Sequence, residues 1–160
     1  MAQASSKTSN QTLGGSRISF RAVLEAGLSA GVLFLVLEFL SGALGAATAL
    51  GPATFTLQTA LNVGDTPPSA TLISAAMVLH FLLSLATTLV LGFIIHRMAR
   101  PYAIVAGVLY GAFLYSGNVV LFTVFQPELG FVNDTLMLVN YALYGAFAGW
   151  LYKKRQPARP

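Results

Sequence analysis

The chain is 160 residues long, 56% hydrophobic and 9% charged, with a formal net charge of +4 and a mean hydropathy of +0.72. Soluble domains carry about a quarter of their residues as charges, so this composition excludes an ordinary soluble fold and implies a polytopic membrane protein with no separate soluble domain. Cysteine is absent, which excludes disulfides, thiolate metal sites, thiol redox chemistry and attached c-type haem.

The basic excess could point to nucleic acid, but its placement removes that reading. Every Lys and Arg lies in one of three places: Lys7, Arg17 and Arg21; Arg97 and Arg100; and Lys153, Lys154, Arg155 and Arg159. The other connections carry Asp65, Glu128 and Asp134 instead. Basic flanks stay cytoplasmic, so both termini and the loop at 97–101 are expected inside. The expected partners are the lipid bilayer and either a second copy or another membrane protein, with no nucleic acid.

Residues 1–16, MAQASSKTSNQTLGGS, are polar and without periodicity. The expected division is a disordered cytoplasmic tail over 1–18, a membrane domain over 19–152 and a basic cytoplasmic tail over 153–160. The apolar stretch Phe20 to Leu44 exceeds the roughly 7 to 15 residues of a signal-peptide core and contains two glutamates, so it reads as span one. Glu25 and Glu38 fall on nearly opposite faces of that helix. Glu25 lies one turn after Arg21, where an i, i+4 ion pair or simple snorkelling covers its charge. Gly27, Gly31, Gly42 and Gly45 lie within about 40° of Glu38 on the helical wheel, which turns this carboxyl toward neighbouring helices.

The connection from Ala46 to Ala70 is interrupted by Pro52, Gly64, Pro67 and Pro68. Pro52 opens a short helix through ATFTLQTALNV that is expected to lie along the outer membrane surface, with an irregular loop as the alternative. Span two, Thr71 to Ile95, is uncharged and long enough to cross a core of about 30 Å. It carries His80 near its middle, and His80, Ser84 and Thr87 at i, i+4 and i+7 form one stripe. Serine and threonine often bond only their own backbone, so the stripe by itself is not diagnostic. Pro101 opens span three, Tyr102 to about Phe125, and span four runs from about Thr135 to Tyr152 with Trp150 and Tyr152 as headgroup-level anchors.

Gly27, Gly31 and Glu38 share their spacing with Gly107, Gly111 and Asn118. This is either chance or the trace of two hairpins related by an axis along the membrane normal. In both cases spans one and three are expected to approach closely through these glycines. Counting from each span's midpoint, Glu38, His80, Tyr115, Asn118 and Asn140 fall within about 10 Å of one depth. Buried ionisable groups at one depth are the pattern of a ligand site or proton relay, formed here by Glu38, His80, Ser84, Tyr115, Asn118 and Asn140. The structural alternative has Glu38 protonated and bonded to His80 or Asn118, setting helix register. One histidine with one glutamate is too few for a metal site, and His80 and His96 are about 24 Å apart along the helix, too far for a bis-histidine haem. No cofactor is expected, and no phosphate loop, nucleophile elbow or HExxH motif supports catalysis.

The runs HFLLS at His80 to Ser84, GVLYG at Gly107 to Gly111, YSGN at Tyr115 to Asn118 and YALYGAFAGWLY at Tyr141 to Tyr152 resemble a family of small uncharacterised four-span bacterial membrane proteins, some labelled symporter-like. The resemblance implies the four-span topology and adds weight to His80 and Asn118, and it implies no activity. The chain departs from the family's aromatic-proline-aromatic stretch after span three, having FQPELGF at Phe125 to Phe131, so no role is carried over for that loop.

The expected fold is an all-α integral membrane bundle of four transmembrane helices, with a short surface helix between spans one and two. The first functional expectation is a non-enzymatic accessory or assembling subunit of a membrane complex. The second is a small proton-coupled transporter or channel using Glu38 and His80, and the third a quinone- or haem-contacting redox subunit.

Overall fold

In a computed structural model, which describes residues 18–43, 69–125 and 135–156, the chain is all-helical. The helices are α1 (Phe20–Ala43), α2 (Ala70–Ile95), α3 (Arg100–Phe125) and α4 (Thr135–Arg155). Three of them, α1, α2 and α3, are long and apolar enough to cross a membrane. The expected N-terminal tail, the surface helix between Ala46 and Ala70 and the loop beyond Phe125 lie outside the described residues.

The helix ends follow local chemistry. Ser19 and Ser69 each place a side-chain oxygen on an otherwise unpaired amide, Ala22 N at 3.3 Å and Leu72 N at 3.2 Å, which caps α1 and α2. At the other end of α2 the His96 N–H closes on Gly92 O, and Met98 N bonds Ile95 O in a tight turn. Pro101 then occupies the first turn of α3, where its missing N–H costs nothing. α4 continues through Lys153, Lys154 and Arg155, past its expected end at Tyr152. Three cations in a last turn complement the negative end of the helix dipole.

α4 occupies the middle of the packing. It lies along α3 and α1, α1 in turn lies along α2, and α2 meets α3 and α4 only lightly. Among the described residues α1 and α3 do not touch. This corrects the expectation that Gly27 and Gly31 pair with Gly107 and Gly111. Each glycine pair instead serves its own hairpin. A Cβ on Gly27 would meet Leu85 Cδ2 at 2.9 Å, and one on Gly31 would meet Ser84 Oγ at 3.0 Å and Phe81 Cδ1 at 3.1 Å, all on α2. A Cβ on Gly107 would strike the carbonyl of Gly145, and one on Gly111 the carbonyl of Tyr141, both on α4. The wheel angle of a small residue says that some helix approaches there, but not which one.

The α3–α4 contact is backbone against backbone. Four residues up α3 correspond to four residues down α4, so Ala103 faces Gly149, Gly107 faces Gly145 and Gly111 faces Tyr141. Such proximity brings Cα–H groups against carbonyl oxygens of the neighbour, and a glycine on one of the two helices at each level permits it. At the α1–α2 contact the space above the glycines is filled by side chains.

The distribution of polarity is inverted relative to a soluble domain. Glu38, Ser41, Ser84, Thr88 and Asn140 are buried, whereas Val78, Leu82, Leu83, Val90, Phe93 and Ile94 on α2 and Leu109, Phe113 and Val120 on α3 are exposed. Water would penalise that surface and a hydrocarbon environment would not. The apolar part of the interior is built on Ala22, Ala26, Ala30 and Phe34 of α1, packed with Leu91, Ile95, Tyr144, Ala148 and Tyr152.

Substitution at the glycines should separate the two kinds of contact. Gly107→Ala and Gly111→Ala meet backbone that cannot retreat, whereas Gly31→Ala meets the movable Ser84 and Phe81 side chains and Gly117→Ala meets nothing within 4 Å. Thermal unfolding in detergent should show losses on the order of 1 to 3 kcal/mol for the first two, less for Gly31→Ala and none for Gly117→Ala. Equal stability across all four would show that α3 and α4 are not in backbone contact.

Candidate functional site

By helical geometry Gly27, Gly31, Phe34, Glu38 and Ser41 of α1 share one broad face, and along it Gly27 and Gly31 meet α2 whereas Phe34 and Ser41 reach α4. The polar residues singled out from the sequence attach to these two parts of the face separately. On the α2 side, His80 Nε2 donates to the carbonyl of Gly31 at 3.0 Å, and Ser84 Oγ donates to the carbonyl of Gly27 at 2.7 Å. The two glycines therefore do more than admit a close neighbour. With no side chain over them, their carbonyls remain reachable by polar groups of the facing helix.

Tyr144 of α4 joins this arrangement. Its hydroxyl is 2.7 Å from Thr87 Oγ1, 3.2 Å from Thr88 Oγ1, 3.2 Å from Ser84 Oγ and 3.1 Å from the Ser84 carbonyl. The protons can be assigned by elimination. The Ser84 proton goes to Gly27 O and the Thr87 proton to Leu83 O at 2.8 Å, so both oxygens are left as acceptors toward Tyr144. Thr88 is the hydroxyl with a proton still to give. The tyrosine thus donates to α2 and accepts from it, and three helices are tied at one point.

On the α4 side, Asn140 Nδ2 donates to Ser41 Oγ at 2.8 Å, both residues being buried. Asn118 Nδ2 of α3 donates to the Tyr141 hydroxyl at 2.6 Å. Glu38 is 3% exposed and lies within electrostatic reach of Tyr141. Tyr115 is half-buried beside Tyr141, with ring centroids 6.0 Å apart. Phe34 stands between the two groups: it stacks on His80 at 5.9 Å and meets Tyr141 and Tyr144 edge-on at 4.8 and 5.7 Å.

The expectation that Glu38 and His80 lie within hydrogen-bond or water-bridged reach meets an offset in register. His80 is anchored at the level of Gly31, and Glu38 stands two helical turns further along α1, about 10 Å away in rise. Depth counted from span midpoints cannot resolve such an offset, because it assumes that antiparallel helices are level.

Tyr144, Tyr141, Ser41, Thr88 and Phe34 belong to the site although sequence reasoning did not single them out. Tyr141 and Tyr144 both lie in the YALYG run, and the available signal was the three-residue spacing of two hydroxyl-bearing rings in an apolar helix. Other hydroxyls of the apolar helices are satisfied locally: Ser74, Ser116 and Thr123 each bond the carbonyl four residues earlier. At one end of the molecule Glu25 pairs with Arg21 as expected, at 2.9 Å, and also with Arg155 of α4 at 2.9 Å.

Two substitutions test this geometry. Tyr144→Phe should cost on the order of 1 kcal/mol in detergent, within the usual range for interhelical hydrogen bonds in apolar surroundings, and a cycle with Thr87→Val should show coupling. A cycle on Glu38→Gln and His80→Ala should be additive within about 0.5 kcal/mol, whereas Glu38→Gln with Tyr141→Phe should not be. Strong coupling of Glu38 to His80 would contradict the register described above.

Comparison with protein-family models, curated proteins and solved structures finds no match for this chain, so a functional reading rests on the geometry of these residues.

Proposed function

We propose that the chain is a non-enzymatic integral membrane protein of four spans that serves as an accessory or assembling subunit of a membrane complex. The observation that carries this reading is how the interior polar side chains use their hydrogen bonds. His80, Ser84, Tyr144, Asn118 and Asn140 each reach a carbonyl or hydroxyl of another helix of the same chain. Groups engaged in this way fix helix positions. The apolar outer faces of α2 and α3 are the surfaces left for lipid or for another membrane protein.

α4 is read as the fourth span because its backbone lies against that of α3 and its Asn140 and Tyr144 turn inward to α1 and α2. The basic clusters orient both termini and the Arg97 to Pro101 loop toward the cytoplasm, in a bacterial inner membrane. Membership of the four-span family is proposed on the HFLLS, GVLYG, YSGN and YALYGAFAGWLY runs. A second reading, a proton-coupled transporter or channel, is favoured by the buried Glu38 carboxyl beside the Asn118–Tyr141 pair.

Single cysteines at Ser5, Ala99 and Ala158 should resist an impermeant thiol reagent in intact cells, while one at Asp65 should react; labelling of Ala99 without Asp65 would reverse the topology. Photo-crosslinkers at the exposed Phe113 and Leu82 should give one discrete protein adduct in membranes, with none from the buried Ala148. Lipid adducts alone, together with a proton flux in proteoliposomes abolished by Glu38→Gln, would displace the subunit reading in favour of the transporter.

A further inference from the structure

The end of the molecule that carries Arg21, Arg100 and the last turn of α4 holds two cations in an unusual position. Arg100 Cζ lies 5.3 Å from the centroid of the Trp150 ring, and Lys154 Nζ lies 4.9 Å from it. Both side chains are exposed, and the indole is half-buried with its ring stacked on Phe147 at 5.6 Å. The attraction of each cation to the electron-rich ring holds it there. The two distances together put the charges no more than about 10 Å apart.

Among the described residues no carboxylate pairs with either cation. Only two acidic residues are described, Glu25 and Glu38. Glu25 is taken at both oxygens, by Arg21 Nε and Arg155 Nε at 2.9 Å each, and Glu38 is buried against α4. The nearby Lys153 is turned to the His96 carbonyl at 3.2 Å and to Gln156. Arg100 and Lys154 are thus set apart from the ion pairs around them. They present two positive charges to one residue of a membrane-interface type.

We propose that Arg100, Lys154 and Trp150 form a binding site for the phosphate headgroup of an anionic phospholipid. The phosphate would take charge-assisted hydrogen bonds from the guanidinium and the ammonium, and the indole and Phe147 would face the upper acyl chain. The occupant is a lipid and not a free anion because the platform beside the two cations is aromatic and continues along α4 into the exposed Leu143 and Val139. The proposal rests on the membrane reading above.

Trp150 is the protein's single tryptophan, so its fluorescence reports this site alone. The full chain would be reconstituted in phosphatidylcholine vesicles containing either phosphatidylglycerol or phosphatidylcholine brominated high on the acyl chains. Brominated phosphatidylglycerol should quench Trp150 with an apparent preference on the order of fivefold over phosphatidylcholine. Arg100→Gln combined with Lys154→Gln should remove that preference, and Arg21→Gln combined with Arg155→Gln should leave most of it. Equal quenching by the two lipids in the unmodified protein, or a preference untouched by the Arg100 and Lys154 changes, would overturn the site while leaving the membrane reading in place. Inorganic phosphate that shifts the emission in detergent as strongly as phosphatidylglycerol does would show a free-anion site and overturn the lipid assignment. Absence of quenching by either lipid would take down the membrane reading and this site together.

Discussion

The packing depends first on the backbone contact between α3 and α4. Gly107 meets the Gly145 carbonyl, Gly111 meets the Tyr141 carbonyl, and Gly149 sits 2.6 Å, measured from a Cβ built on it, from the Ala103 carbonyl. Two helices held this closely leave no freedom of rotation about their axes. Rotation of α4 is thereby set, and its Tyr144 and Asn140 are turned toward α2 and α1, while Tyr141 is kept beside Asn118. Larger residues on this seam would move the polar ties of the other helices along with it.

The α1–α2 contact uses the same residue type for another end. Gly27 and Gly31 expose their carbonyls, and Ser84 and His80 bond to them. Helical carbonyls are already engaged with amides four residues on, and their second lone pair is the acceptor used here. Two hairpins with a shared glycine spacing therefore reach two solutions, one through backbone proximity and one through side chains that bond to backbone. In apolar surroundings each such bond is worth on the order of 0.6 kcal/mol, so together they select one arrangement more than they add stability.

Polar groups inside and apolar groups outside follow from one requirement. In hydrocarbon a hydroxyl or amide without a partner is costly, and an exposed leucine is not. The Tyr144 hydroxyl meets the requirement by donating and accepting at once, and Ser74, Ser116 and Thr123 meet it by bonding their own helix. The charged residues collect at the helix ends, where Arg21, Glu25 and Arg155 pair and Trp150 carries Arg100 and Lys154.

By itself the sequence determined the helical class, the four helix positions to within a few residues, the opening of α3 at Pro101, and the inward direction of Glu38. Those properties are local: run length, hydropathy and Pro101 act within one helix or one turn. Tertiary structure alone decided that Gly27 and Gly31 face α2 and not α3, that His80 is level with Gly31 and two turns from Glu38, and that Tyr144 ties three helices together. A 3.6-residue period gives each side chain an angle on its own helix and nothing about the axial offset or the identity of the facing helix. Those depend on how closely two particular surfaces can approach, a property of pairs of helices that no single stretch of sequence contains.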